Sequence, residues 1–348
     1  MNRTIRTISA ILALILMLSV LCSAAAQGLP DVASLYKDRD LNDQWDADEV
    51  ETIRLSESGA EVSDPQAVSV ENQTVTIREE GDYLVTGTWK GQIVVSVGEE
   101  KKVRLILQNV SIDSPAGPAI FEQSADKLVL TLDGESVNTL SDHTQQIFGS
   151  ETAAAAVYAQ DDLSINGTGT LVIEGGAKNG IHCKADLVIA DGHLQVTSVN
   201  DAVKGRNSVL ILGGSISVVS GGDAISSNRD NKEDKGWVIV EDGTLNIKTG
   251  DGAMNGKQKS AASRKGLKAV TDLTILGGEI VLDTEDDGLH AGNVIITDGR
   301  IDISTGDEAI QADDSVSISG GEIVIRLCDE EIKGENVEVA DGTVRSED

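Results

Sequence analysis

The chain has 348 residues, enough for two average domains or one elongated one, and its 28 basic and 58 acidic side chains leave a formal charge of −30. That balance excludes a nucleic-acid binder working by phosphate neutralisation, because such proteins carry a basic face or stripe. Apolar residues make up 40% of the chain, yet only eight are aromatic (three Trp, three Tyr, two Phe), so any core must be built from Val, Ile, Leu and Ala.

In chain order, Arg3 and Arg6 precede an apolar run from Ile8 to Leu21, and Ala24-Ala25-Ala26 offers a small-residue cleavage site. This pattern predicts a secretory signal peptide over 1–26 and an exported, extracellular chain, free or held at the cell surface. Cys22 invites a lipoprotein reading, but Leu21 stands where a small residue is needed. No second long apolar run follows, so no membrane span is expected in the mature chain. Residues 27–66 read as an acidic N-terminal cap segment. Within it Asp38, Asp40, Asn42, Asp46 and Glu49 imitate an EF-hand loop, but Asp43 occupies the position that requires Gly. Residues 68–135 alternate apolar and polar, as in Val75-Thr76-Ile77, and read as irregular early coils of a longer repeat.

From there a block recurs: acid or Asn, then Gly or Ala, then an aliphatic residue, followed by V-x-I-x-[G/D]-G-x-I-x-V. Its copies are Asn179-Gly180-Ile181, Asp201-Ala202-Val203, Asp223-Ala224-Ile225, Asp251-Gly252-Ala253, Asp287-Gly288-Leu289, Glu308-Ala309-Ile310 and Glu330-Glu331-Ile332. Their intervals are 22, 22, 28, 36, 21 and 22 residues. Within each block the apolar residues alternate, as in Val209, Ile211, Ile216 and Val218, which means strands with one buried face. Gly213-Gly214, Asp242-Gly243 and Gly277-Gly278 mark bends between them. Short strands at this period predict an all-β, single-stranded parallel β-helix over 67–348, each coil hydrogen-bonded to the next. The two long intervals read as loop insertions near 226–236 and 254–271. Coils stack about 4.8 Å apart, so Cys183 and Cys328, roughly six coils apart, are about 29 Å distant and should be free thiols.

Stacking turns a sequence column into a spatial row. The column from Asn179 through Asp201, Asp223, Asp251, Asp287 and Glu308 should line one corner, with Asn200, Asp286 and Asp307 just before it. Carboxylates at coil spacing repel by about 0.9 kcal/mol in water and about 3.5 kcal/mol at an effective dielectric of 20. Such a row favours a bound cation, and hard oxygen donors without a His/Cys cluster favour Ca²⁺. The competing reading is ordinary turn chemistry, in which Asp side chains satisfy the turn backbone unaided. Lys184, Lys204 and Arg206 lie just past the ladder, and the 254–271 insertion carries Lys257, Lys259, Arg264, Lys265 and Lys268 with no acid among them. In so acidic a chain this local reversal of sign suggests a surface for an anionic or polyhydroxylated polymer. The four histidines form no metal-like or triad-like spacing and read as solvent-facing.

Several stretches, in order along the mature chain, resemble a known family: Asp38-Arg39-Asp40-Leu41, Asn138-Thr139-Leu140-Ser141-Asp142, Asp161-Asp162-Leu163-Ser164-Ile165-Asn166-Gly167, Asn200-Asp201-Ala202-Val203-Lys204-Gly205-Arg206 and Asp286-Asp287-Gly288-Leu289. They are similar to secreted carbohydrate-binding β-helix proteins that recognise cellulose and acidic sugars, with a fold like that of polysaccharide lyases. The resemblance implies a right-handed parallel β-helix, Ca²⁺ held by Asn200, Asp201, Asp223, Asp251, Asp286 and Asp287, and non-catalytic binding of polysaccharide. Ala202 and Ala224 depart from the family's Gly, as does the basic insertion. Two alternatives stand beside that reading: a Ca²⁺-dependent pectate-type lyase with Lys204, Arg206 or a loop cation as base, and a structural adhesion protein.

Overall fold

The computed structural model describes residues 29–230, 234–255, 263–340 and 343–347; the expected signal peptide, Lys257 and Lys259 lie outside them. The chain divides into two compact units, Met1–Tyr36 and Lys37–Asp348. The described part of the first holds one 3-10 turn, Val32–Ser34. The second is the expected parallel β-helix, whose described strands join in one 30-stranded sheet apart from Gln146–Phe148 and Glu151–Ala153, which pair with each other. No described helix is long and apolar enough to cross a membrane.

Each coil has three walls. In one coil, wall B is Val203–Gly205, wall C is Ser208–Ile211 and wall A is Ser215–Ser220. The alternation read from the sequence appears directly in burial: along His193–Ser198, Leu194, Val196 and Ser198 face inward while His193, Gln195 and Thr197 face out. Registered pairing stacks Leu171, Leu194, Ile216, Leu245, Ile280, Ile301 and Ile323 in one internal column. Each such side chain, taken fully out of water, contributes about 1.5–3 kcal/mol, so aliphatic columns can replace the missing aromatics. At the C-to-A bend, Gly214, Gly243, Gly278, Gly299 and Gly321 stack with φ between 83° and 114°, a conformation that a Cβ disfavours.

The early coils are irregular. Glu51–Ser56 pairs antiparallel with Gly59–Val62, and Val68–Glu71 with Thr74–Ile77. Glu51–Ser56 also pairs in parallel with Gly81–Lys90, so the sheet takes in strands that precede residue 67. The cap segment is helical at Asp38–Leu41, and Asp40 points inward, where Lys127 Nζ and Ser164 Oγ each approach it at 2.6 Å. That inward turn of Asp40 replaces the EF-hand-like loop. Cys183 and Cys328 are both free thiols.

One reading of the repeat is corrected. The corner column runs Asn179, Asp201, Asp223, Lys265, Asp287, Glu308: the amide of Ala224 bonds to the Lys265 carbonyl, and that of Gly266 to the Asp287 carbonyl. Asp251 therefore lies outside the ladder, and Leu267–Lys268 continues wall B. Asp251-Gly252-Ala253 imitates the repeat in sequence, yet pairing selects Lys265-Gly266-Leu267, which restores the 22-residue step to Asp287. The second insertion thus ends before Lys265.

Candidate functional site

The corner between walls A and B is built by hydroxyls. Ser198 Oγ donates to the Asn200 carbonyl at 2.7 Å, Ser220 Oγ to that of Gly222 at 2.8 Å, and Thr284 Oγ1 to that of Asp286 at 2.9 Å. This contact turns the chain and delivers the next residue, the corner acid, to a fixed place.

The corner acids serve the backbone first. Asp201 Oδ1 accepts the amide of Asp223 at 3.1 Å, Asp223 Oδ1 that of Lys265 at 3.0 Å, and Asp287 Oδ1 that of Glu308 at 3.4 Å. The other oxygen takes a cation from the chain itself. Lys204 reaches Asp201 at 2.8 Å, Lys268 reaches Asp223 at 2.9 Å, and Lys333 reaches Glu308. Lys265, nearly buried, pairs with Asp287 and lies 3.3 Å from Asp286, while His290 Nδ1 is 2.8 Å from Asp287. Burial raises the Asp287 carboxyl, but His290 and Lys265 outweigh it and hold the group well below the ordinary carboxylate range. Thus the repulsion expected from the sequence is relieved rung by rung with ammonium groups.

The remaining expected ligands are dispersed around this row. Asn200 Nδ2 donates to Asn179 Oδ1 at 3.1 Å. Asp251 donates its backbone amide to Glu285 at 2.9 Å, at the root of the insertion. Asp286, Asp287 and Asp307 do converge: each offers an oxygen within 4.8 Å of the others. By donor chemistry this trio fits a hard divalent cation, in competition with the Lys265 ammonium.

The outward face of wall B carries a second row. Registered pairing places Tyr158, His182, Lys204, Ser226, Lys268, His290, Gln311 and Lys333 one above another. Steps of about 4.8 Å make it roughly 34 Å long. At its upper end Tyr158 packs edge-to-face on Phe121 and on His182, with ring centroids 5.6 and 5.1 Å apart. Burial drives His182 down to about 3, and Lys204, Lys184, Lys178 and Arg206 push it the same way. Four cations thus act on an imidazole whose burial already disfavours the charged form. Lys204 is paired with Asp201 and Lys184 with Glu151 at 3.0 Å. Lys178 and Arg206 have no ion-pair partner among the described residues. Gly205 sits between Lys204 and Arg206, where a Cβ would strike the Ser208 carbonyl oxygen, so the bend that projects Arg206 requires its bare backbone.

Of the expected sugar-contacting residues, then, Lys204 lies on wall B and Lys184 and Arg206 in the bend that follows it, and all three act on His182. Arg264 turns inward to Glu285 and the Gly221 carbonyl, and Lys265 is committed to the corner. Tyr158, His182, His290 and Lys333 join the row without having been singled out in the sequence. His182 and His290 are packed into it instead of facing solvent alone; both occupy the third place after a corner residue, which is the only signal that could have found them.

Fold and site together define a parallel β-helix with an acidic corner whose counter-ions are the lysines of the adjoining wall. The chain belongs to the carbohydrate-binding domain-containing protein family, which it matches over residues 71–260 and 243–309. A carbohydrate-binding domain-containing protein of Acetivibrio thermocellus is 30% identical over 159 residues, 44% of this chain and 50% of that protein. The chain thus spans about half the length of that curated relative. A polysaccharide lyase-like protein from C. thermocellum, solved as a gadolinium derivative, superposes with a TM-score of 0.57 at 25% identity, covering 84% of this chain and 99% of its own.

Proposed function

We propose that the protein is a secreted, non-catalytic binder of acidic polysaccharide, and that wall B is its binding face, assisted by Ca²⁺ at the adjoining corner. The observation that carries this reading is that Lys178 and Arg206, which have no ion-pair partner among the described residues, act on His182 together with the paired Lys184 and Lys204 in a chain of charge −30. Guanidinium and ammonium groups in coil register suit the carboxylates of a uronate polymer, and family membership supports a carbohydrate ligand. Asp286, Asp287 and Asp307 would hold the Ca²⁺, which supplies positive charge able to bridge to a uronate carboxylate. The lyase-like description of the structural neighbour keeps a second reading in view, in which Arg206 removes the uronate α-proton.

One experiment separates them. The mature chain is passed over immobilised polygalacturonate with Ca²⁺ or with chelator, and soluble polymer is followed by the absorbance of unsaturated product. Retention that falls at least tenfold in Lys204→Ala/Arg206→Ala, with no product, supports the binding reading. Product formation overturns it in favour of the lyase, and retention indifferent to both substitutions removes wall B. Chelation that leaves retention intact removes the Ca²⁺ role alone.

A further inference from the structure

A short hairpin outside the main sheet stands beside wall B. Gln146–Phe148 and Glu151–Ala153 pair antiparallel, and Gly149 turns between them at φ 60°. Its root is fixed: Thr144 Oγ1 donates to the Pro115 carbonyl at 3.0 Å, and the Gly117 amide donates to the Thr144 carbonyl at 3.1 Å. Its other end runs through the buried Ala153 and Ala154 into the wall B strand Ala155–Ala159. Phe148 packs edge-to-face on Phe121, with ring centroids 5.3 Å apart, so the hairpin lies against the end of the row that holds Tyr158 and His182.

This hairpin delivers a carboxylate to a lysine of the binding face. Glu151 Oε2 lies 3.0 Å from Lys184 Nζ. Burial pushes the Tyr158 hydroxyl up to about 12; Glu151 adds to that rise and Arg206 opposes it, so both charges act on the one ring. Glu151 thus holds a carboxylate where Lys184 would meet that of a uronate.

The pair differs from the others along the wall. Asp201, Asp223 and Glu308 are buried, and Asp201 and Asp223 each hold a backbone amide besides their lysine. Glu151 is 49% exposed and accepts no backbone amide among the described residues, whereas the Lys184 side chain is only 15% exposed. A pair with one partner in water contributes little net stability, because the freed carboxylate is well solvated. The ammonium therefore stays in place while its counter-ion can turn away by side-chain rotation alone. Being tethered, Glu151 nonetheless competes at a high effective concentration.

We infer that Glu151 is a built-in competitor for wall B: its carboxylate fills the Lys184 subsite, and an acidic polymer must exchange one of its own carboxylates for it to extend past Lys204 onto that coil. The inference rests on the acidic-polysaccharide reading of wall B. The exchange is like for like, so the parent draws little affinity from Lys184. Removing the Glu151 charge opens the ammonium and lengthens the ligand's contact by one coil, about 4.8 Å.

The test is calorimetry with hexagalacturonate at low ionic strength and constant Ca²⁺, alongside its methyl ester. Glu151→Gln keeps the size of an exposed side chain and removes its charge. It should bind the acid about two- to fivefold more tightly than the parent, the scale of one exposed ion pair. The ester should bind parent and variant alike, and in a Lys184→Ala background the same substitution should change nothing. Parental or weaker affinity of Glu151→Gln for the acid, an equal gain for the ester, or a gain that persists without Lys184 overturns the inference. Wall B survives any of those results if Lys204→Ala/Arg206→Ala still weakens hexagalacturonate binding. Binding indifferent to that double variant, or absent from parent and Glu151→Gln alike, removes wall B and the inference with it.

Discussion

Replacing Lys265 by Met tests whether the chain neutralises its own acidic corner. Methionine keeps most of the hydrocarbon stem and deletes the ammonium that pairs with Asp287 and lies 3.3 Å from Asp286. The Asp287 side chain is wholly buried, so its charge cannot be handed to water. Removing one partner of a buried pair costs about 3–5 kcal/mol. His290 remains 2.8 Å away and offsets part of this, which places the expected loss near the lower end, about 3 kcal/mol. At about 2 °C per kcal/mol for a long chain, thermal unfolding in chelator should fall by roughly 6 °C, followed by far-ultraviolet circular dichroism. Saturating Ca²⁺ should recover more of that loss in Lys265→Met than it adds to the parent, since the competing ammonium is gone. A midpoint within about 1 °C of the parent in chelator would refute the reasoning, because it would mean the corner carries no charge burden for Lys265 to relieve.

Glu122 offers a pH test with a definite sign. Burial pushes its carboxyl up to about 7, against the pull of the Gln160 and Asp161 amides at 2.8 and 2.9 Å. A folded value above the unfolded one means the folded state binds the extra proton, so stability from this group is full below about pH 4.5 and is lost as pH rises toward 7. Glu122→Gln should therefore gain on the parent by up to about 3 kcal/mol at pH 8 and by almost nothing at pH 4, measured by denaturant titration at both. Asp40→Ala strips the partner from Lys127 and should cost about 3 kcal/mol, read as faster native-state proteolysis within residues 37–50. Gly205→Ala forces a Cβ onto the Ser208 carbonyl and should cost about 1–3 kcal/mol, with loss of polygalacturonate retention exceeding that of Arg206→Ala.

Much of this architecture is legible in one dimension. Alternation such as Val209, Ile211, Ile216 and Val218, broken by Gly213-Gly214, encodes strand, bend, strand at a fixed period, and a repeat of that length closes into coils. The free thiols follow from the coil count alone. What the pattern could not rank were two imitations of the same motif. Asp251-Gly252-Ala253 matches the consensus better than Lys265-Gly266-Leu267, yet backbone pairing between coils, a long-range event, selects the latter.

Period and composition are enough to stack aliphatic strands into a parallel β-helix and to gather acid at one corner. How that acid is neutralised, and where cations converge, follows from the folded coils. Lys268 reaches back 45 residues to Asp223, and His182 sinks among lysines from its own and the next coil. Coulomb energy depends on distance in space, and distance in space is set by the registration of coils, not by proximity along the chain.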